Sequence, residues 1–181
     1  IIRTNTVRAN PIVQGKFRLE NMAYDIALAG ARIACESIAE YNDDILQCKT
    51  GKLGQTLERK YVAGVMGPAE DSADVGFREL VDAYSEVVRG LLDGNADILL
   101  LDSFRNLLNV KAALHAVFKV CSERQELVPV MVSGEIAEAG AGTLAGLTAR
   151  ALQHTVSSFP VFSIGLSAGE NASDLHDLLK E

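Results

Sequence analysis

The sequence has few cysteines, no surplus of positive charge and no long apolar run, and each shortage removes a class of function. Cys35, Cys48 and Cys121 are three in number and widely separated. Without a CxxC or a Cys/His spacing they signal neither a disulfide framework nor a self-contained zinc site. The cytoplasm or another reducing compartment is the expected location. The 17 Lys and Arg stand against 24 Asp and Glu, for a net charge of -7. Nucleic acid and anionic membrane are therefore not expected as partners, since phosphate binding needs clustered cations. No apolar stretch approaches the ~20 residues of a membrane span. Also missing are a GxxxxGK(S/T) phosphate loop and a GxSxG nucleophile elbow. The first residue is not Met, and no signal peptide is expected. The chain opens at Ile1 inside what reads as a strand, as expected of a fragment, a processed chain or one with residues upstream.

What is present is an ordinary globular composition, with 48% hydrophobic and 23% charged residues over 181 positions. That is enough for a single domain, 1–181, with a real core. Its centre is Gly94–Lys111, GNADILLLDSFRNLLNVK. Ile98 to Leu101 form a continuous apolar run, which suits a strand buried on both faces of a parallel sheet. Asp102 follows at the carboxyl end of that strand, where open α/β sheets and α/β barrels place their chemistry. The alternative is that Asp102 only caps the next helix or pairs with a neighbouring Arg.

In chain order, Ile1–Val7 reads as a strand running into a polar loop, broken at Asn10 and Pro11. Met22, Ile26, Ala29 and Ile33 recur at helical spacing and predict an amphipathic helix from about Leu19 to Tyr41. Asn42–Lys60 is polar and reads as a surface connection. A strand over Tyr61–Met66 precedes Pro68 and an acidic loop, Glu70–Gly76. Leu80, Val81, Tyr84, Val87, Val88 and Leu91 then make a helix stripe that stops at Asp93 and Gly94. After the central strand comes a helix over about Leu107–Glu123, in which His115 reads as a surface or satisfied histidine. Strands over Val128–Ser133 and Val161–Leu166 flank a glycine-rich loop and a helix carrying Leu147, Leu152 and Val156. Ser173 can cap a last short helix. Cys35 falls on an apolar helix face, as a small core residue. The alternation of strands and helices implies parallel pairing with right-handed crossovers. Gly140–Ala145, GAGTLA, fits a dinucleotide fingerprint only formally, because it is too far from its strand and lacks the later acidic residue.

Five strand-end segments together resemble the homocysteine S-methyltransferase family, most nearly the homocysteine-binding domains of its cobalamin-dependent methionine synthases. They are IIRTNT at Ile1–Thr6, YVAGVMGP at Tyr61–Pro68, the central stretch with its helix, SGEIAEAGAGTLAGLT at Ser133–Thr148, and IGLSA at Ile164–Ala168. The resemblance implies a partial (β/α)8 barrel, α/β in class, with parallel strands in sequential order and flanking helices. This chain then supplies strands two to six and lacks the first and the last two. A whole barrel of this class takes ~250 residues, so the length agrees.

The same resemblance implies methyl transfer to the homocysteine thiol, in methionine biosynthesis. It assigns Thr4 to the homocysteine carboxylate and Asp102, where the family has Glu, to the substrate amine. Both are expected at the carboxyl edge of the sheet, facing a shared cleft. Family members use zinc and, in some, cobalamin. Zinc lowers the thiol pKa and leaves one ligand position open to substrate. The first zinc cysteine falls on Ala168 here, in GLSA where the family reads GLNC, and the cysteine pair would lie beyond Glu181. No catalytic, metal or cofactor residue is therefore expected in this chain. His176, in DLHDLL, lacks the glycine of the DxHxxG cobalamin signature. Two readings stay open: an impaired methyltransferase-like domain that binds homocysteine, or a degenerate barrel fragment serving as an assembly subunit. Either way a protein partner or a homodimer mate is expected to cover the exposed sheet edges.

Overall fold

A computed structural model describes residues 1–47, 59–69, 75–135 and 149–167, with side chains to 43 in the first stretch. Cys48, Ala168, Ser173, His176 and most of the glycine-rich loop lie outside the described residues. Strands β1 (Ile2–Arg3), β2 (Val62–Met66), β3 (Ile98–Phe104), β4 (Val130–Glu135) and β5 (Ser163–Ser167) form one sheet. Its order is β1-β2-β3-β4-β5, every pair parallel, so each βα unit adds its strand beside the last, as in a sector of a barrel.

The helices are α1 (Pro11–Gly15), α2 (Ala23–Gln47), α3 (Phe77–Asp93), α4 (Leu107–Arg124) and α5 (Ala149–Val156). Asn10 and Pro11 do not merely break the chain. Asn10 accepts a hydrogen bond from Ile12 N at 2.9 Å and Pro11 takes the first helical position, so the pair starts α1. Helix α4 is capped in the same way by Asn106, which accepts from Leu108 N, and ends at Gln125 in the left-handed region (φ 53°). Helix α3 stops at Asp93 and Gly94, as its pattern predicts.

The core lies between the sheet and the helix layer. Leu99, Leu101, Val130 and Val132 point into it, against Leu80, Leu91, Leu114 and Val117. Tyr84 is fully buried, and its hydroxyl donates to Asn109 Oδ1 and accepts from Ala69 N, both at 2.8 Å. Burial pushes its phenol far above the ordinary range. On the other face Ile98, Leu100, Met131 and Ser133 are only half-buried. The central strand is therefore not buried on both faces, because five strands do not close around that side.

Two helix expectations need correction. The helix read as Leu19–Tyr41 begins with a 3-10 turn, Glu20–Met22, and runs on to Gln47, into the stretch read as a surface connection. Its buried face is Ala23, Ala27, Ala31 and Ala34, whereas Met22 and Ile33 are 43% and 62% exposed. The cause is close helix packing. A Cβ on Gly90 of α3 would stand 2.4 Å from Tyr24 O and 2.8 Å from Ala27 Cβ, so only small residues fit between α2 and α3. Cys35 is half-buried on this helix, and its thiol donates to Gly94 O and Asn95 O.

Candidate functional site

Pairing in register puts residues of neighbouring parallel strands on the same face. Arg3 pairs with Ala63, Ala63 with Ile98, and Val65 with Leu100. Arg3, Ala63, Val65, Ile98 and Leu100 therefore line the half-open face, and Asp102 continues their row. There the regular ladder between β3 and β4 breaks. Leu101 pairs with Val132 but Phe104 with Gly134, so one extra residue is inserted into β3. Ser103 takes this bulge with φ 60°, a conformation that costs a non-glycine residue energy. The bulge sets the direction of Asp102 at the strand end.

Asp102 carries a charge pair. Arg3 Nη2 donates to Asp102 Oδ2, joining β1 to β3 across β2. The Asp102 side chain is 17% exposed and that of Arg3 54%. Asp102 does not cap the following helix, since Asn106 does. A second pair, Arg105 with Glu135, stands beside it at the ends of β3 and β4. Sequence reasoning missed Arg3, Ser103 and Glu135. A lone Arg inside the apolar run of β1, at even spacing with the sheet face, was the signal for the first.

Thr4 stands at the same carboxyl edge, buried to 5% exposure. Its hydroxyl lies in the seam between β1 and β2. Val65 N donates to Thr4 Oγ1 at 2.8 Å, and Thr4 and Thr6 Oγ1 are 2.6 Å apart. Thr6 Oγ1 donates its single proton to Val65 O at 2.6 Å. Thr4 must therefore be the donor to Thr6, which uses its only proton. Thr4 and Asp102 share an edge, and the Thr4 hydroxyl is engaged in the seam between β1 and β2.

The zinc implied by the resemblance finds no ligand set among the described residues, where no three of His, Cys, Asp and Glu stand together. Cys35 and Cys121 sit on α2 and α4 rather than at strand ends, and burial, the largest cause, pushes both thiols up. Neither fits a zinc thiolate. His115 is exposed, edge-on to Phe77 and Phe159, in keeping with a surface histidine. Among the described residues, clefts of about 530 and 340 Å³ open in the helix layer, and neither is lined by Arg3, Thr4 or Asp102. Among the described residues no helix is long and apolar enough to cross a membrane.

Comparison with known proteins gives two findings. The family model for homocysteine S-methyltransferase matches residues 1–181. The fold is similar to that of the homocysteine methyltransferase MmuM from Escherichia coli. Its metallated form aligns with a TM-score of 0.70 at 19% identity, over 97% of this chain and 62% of that one. Its oxidized form aligns with a TM-score of 0.67 at 18% identity, over 91% of this chain and 55% of that one. This chain thus spans about three-fifths of the length of the solved structures it matches.

Proposed function

The chain belongs to the homocysteine S-methyltransferase family, and from that premise we propose that it binds homocysteine at the carboxyl edge of its sheet. One observation carries the reading. The bulge at Ser103 presents the Asp102 carboxylate on the half-open face at a strand end, in a parallel sheet of sequential order. That is where barrels of this architecture hold substrate. In this reading Asp102 takes the substrate ammonium, and Thr4, whose hydroxyl proton is engaged by Thr6, borders the carboxylate side of the same site without donating to it. The homocysteine sulfur, once its thiol proton is lost, would be the nucleophile for a methyl group, and methylcobalamin on another module would supply that group.

Transfer is impaired in this reading. The Ala168 side chain has no donor atom for a metal, and the described cysteines lie on helices away from the strand ends, with thiols that burial pushes up. Calorimetry of the full-length protein with homocysteine should give a saturable heat. No heat at concentrations that saturate a family enzyme would sink the reading. Zinc content and methyl transfer, each measured with and without Ala168→Cys, test the impairment. Transfer at the level of a family enzyme by the unsubstituted chain would overturn it.

A second reading is favoured by the exposed apolar residues beside both edge strands. Ile1 and Ile2, next to and in β1, are 70% and 38% exposed, and Phe162 and Ile164, next to and in β5, are 74% and 43% exposed. In a closed barrel further βα units cover such edges. Here a protein partner or a second copy would do so, with the chain acting as an assembly subunit. Light scattering tests this: a stable monomer that takes up no partner counts against it.

A further inference from the structure

We propose that Arg3 and Asp102 act together as one receptor for the zwitterionic head of an α-amino acid, Arg3 taking the α-carboxylate and Asp102 the α-ammonium. The inference rests on the homocysteine reading and extends it to a residue that reading leaves without a role. A carboxylate ligand needs a donor or a cation. Thr4 cannot supply the donor, because its one proton goes to Thr6. The next residue along the strand is Arg3, which reaches the open face over Ala63 and Val65 and meets Asp102 there.

The bond between them uses one guanidinium nitrogen and one carboxylate oxygen. Guanidinium offers five N–H groups in a planar fork suited to a carboxylate, and Asp102 has a second oxygen for an ammonium. A bound amino acid would complete a ring of alternating charges, with no net charge added to the site. A purely structural role explains the pair poorly. Arg3 is 54% exposed, and exposed ion pairs add little to stability. Yet the carboxylate is held at a strained bulge, and backbone strain of this kind gathers at ligand sites.

The test is a cross of ligands against variants, read by calorimetry on the full-length protein. The ligands are homocysteine, 3-aminopropane-1-thiol, which lacks the carboxylate, and 4-sulfanylbutanoate, which lacks the amine. Arg3→Gln should weaken homocysteine by about tenfold or more and leave the aminothiol unchanged. Asp102→Asn should weaken homocysteine and the aminothiol, and leave the sulfanyl acid unchanged. Arg3→Lys should restore part of the affinity, and thermal melts identify any variant that fails to fold. Tighter homocysteine binding by Arg3→Gln would mean that Arg3 is a counter-ion displaced by substrate, and would overturn the proposal. Unchanged binding in that variant would overturn it too. Norvaline separates this inference from the reading beneath it. If the wild type takes norvaline but not homocysteine, and loses it in both variants, the receptor stands and the homocysteine reading fails. If it takes no α-amino acid, both fail.

Discussion

The two edges of the sheet use their charged residues differently. At the amino edge, where α3 and α4 end, Asp93 accepts from Arg124 at 2.6 Å and from the Tyr24 hydroxyl at 2.8 Å, tying α2, α3 and α4 together. Asp97 accepts from the backbone N–H of Val62 at 2.8 Å and so anchors β2 to the start of β3. At the carboxyl edge, Arg3–Asp102 and Arg105–Glu135 join side chain to side chain. A carboxylate that completes a backbone or clamps three helices cannot be given to a ligand without loosening the fold. One whose partner among the described residues is an exposed guanidinium can. Barrels commonly divide their edges in this way, stability at one end and chemistry at the other.

Substitutions can break that contrast in graded steps. The largest effect is expected from Gly90→Val, whose side chain would strike Tyr24 O and Ala27 Cβ in the layer that the amino edge braces. Forcing α2 from α3 should cost about 3 kcal/mol, read as a melting temperature lower by about 6–12 °C. Unchanged melting would mean that the helices are not in contact as described. Tyr84→Phe should follow at about 2 kcal/mol, because it removes the buried hydrogen bonds of the hydroxyl with Asn109 Oδ1 and Ala69 N. Denaturant midpoints measure it, and homocysteine affinity in the folded fraction should not move.

Asp93→Asn is expected to be smaller and dependent on pH. Arg124 first, and then Tyr24, hold the Asp93 carboxyl below its ordinary value. A group with a depressed folded pKa contributes its stability above the unfolded value and loses it as pH falls through the folded one. The side chain is 37% exposed, so after solvent screening the contribution at pH 7 is at most about 1 kcal/mol. Melting curves should show wild type above the variant at pH 7 and the gap closing toward pH 3. A gap that widens in acid would contradict the assignment. The smallest effect belongs to the carboxyl edge. Arg105→Gln should change stability by under about 0.5 kcal/mol, since its side chain is 71% exposed. A large loss there would erase the contrast between the edges.

Local pattern was enough for the strands, their parallel pairing and the carboxylate at the end of β3, whereas their sequential order came from the family resemblance. An apolar run of four residues bounded by Gly94 and Asp102 can be little else than a buried strand, and repeated strand–helix alternation leaves parallel pairing as the economical topology. The stops at Asp93–Gly94 and the start of the helix at Leu107 were legible for the same reason, because caps and periodicity act within a few residues. The buried face of α2 was not. Hydropathy favoured Met22 and Ile33 beside the half-buried Ile26, yet the facing helix offers Gly90 and Gly94 and its closest neighbours are alanines. Steric fit between two helices is a property of both sequences at once.

The partner of Asp102 shows the same limit at the site itself. Its position in the chain announced a carboxylate at a strand end, with pairing to an Arg as one open possibility. Arg3 lies 99 residues away and becomes its partner only because β1 is set one strand beyond β2 in the finished sheet. The proton count that engages Thr4 likewise needs three groups from two strands. Order along the chain follows from short-range backbone and hydrophobic rules. Which charges meet, and which hydroxyl still has a proton to give, depends on distances that only the closed packing of the sheet creates.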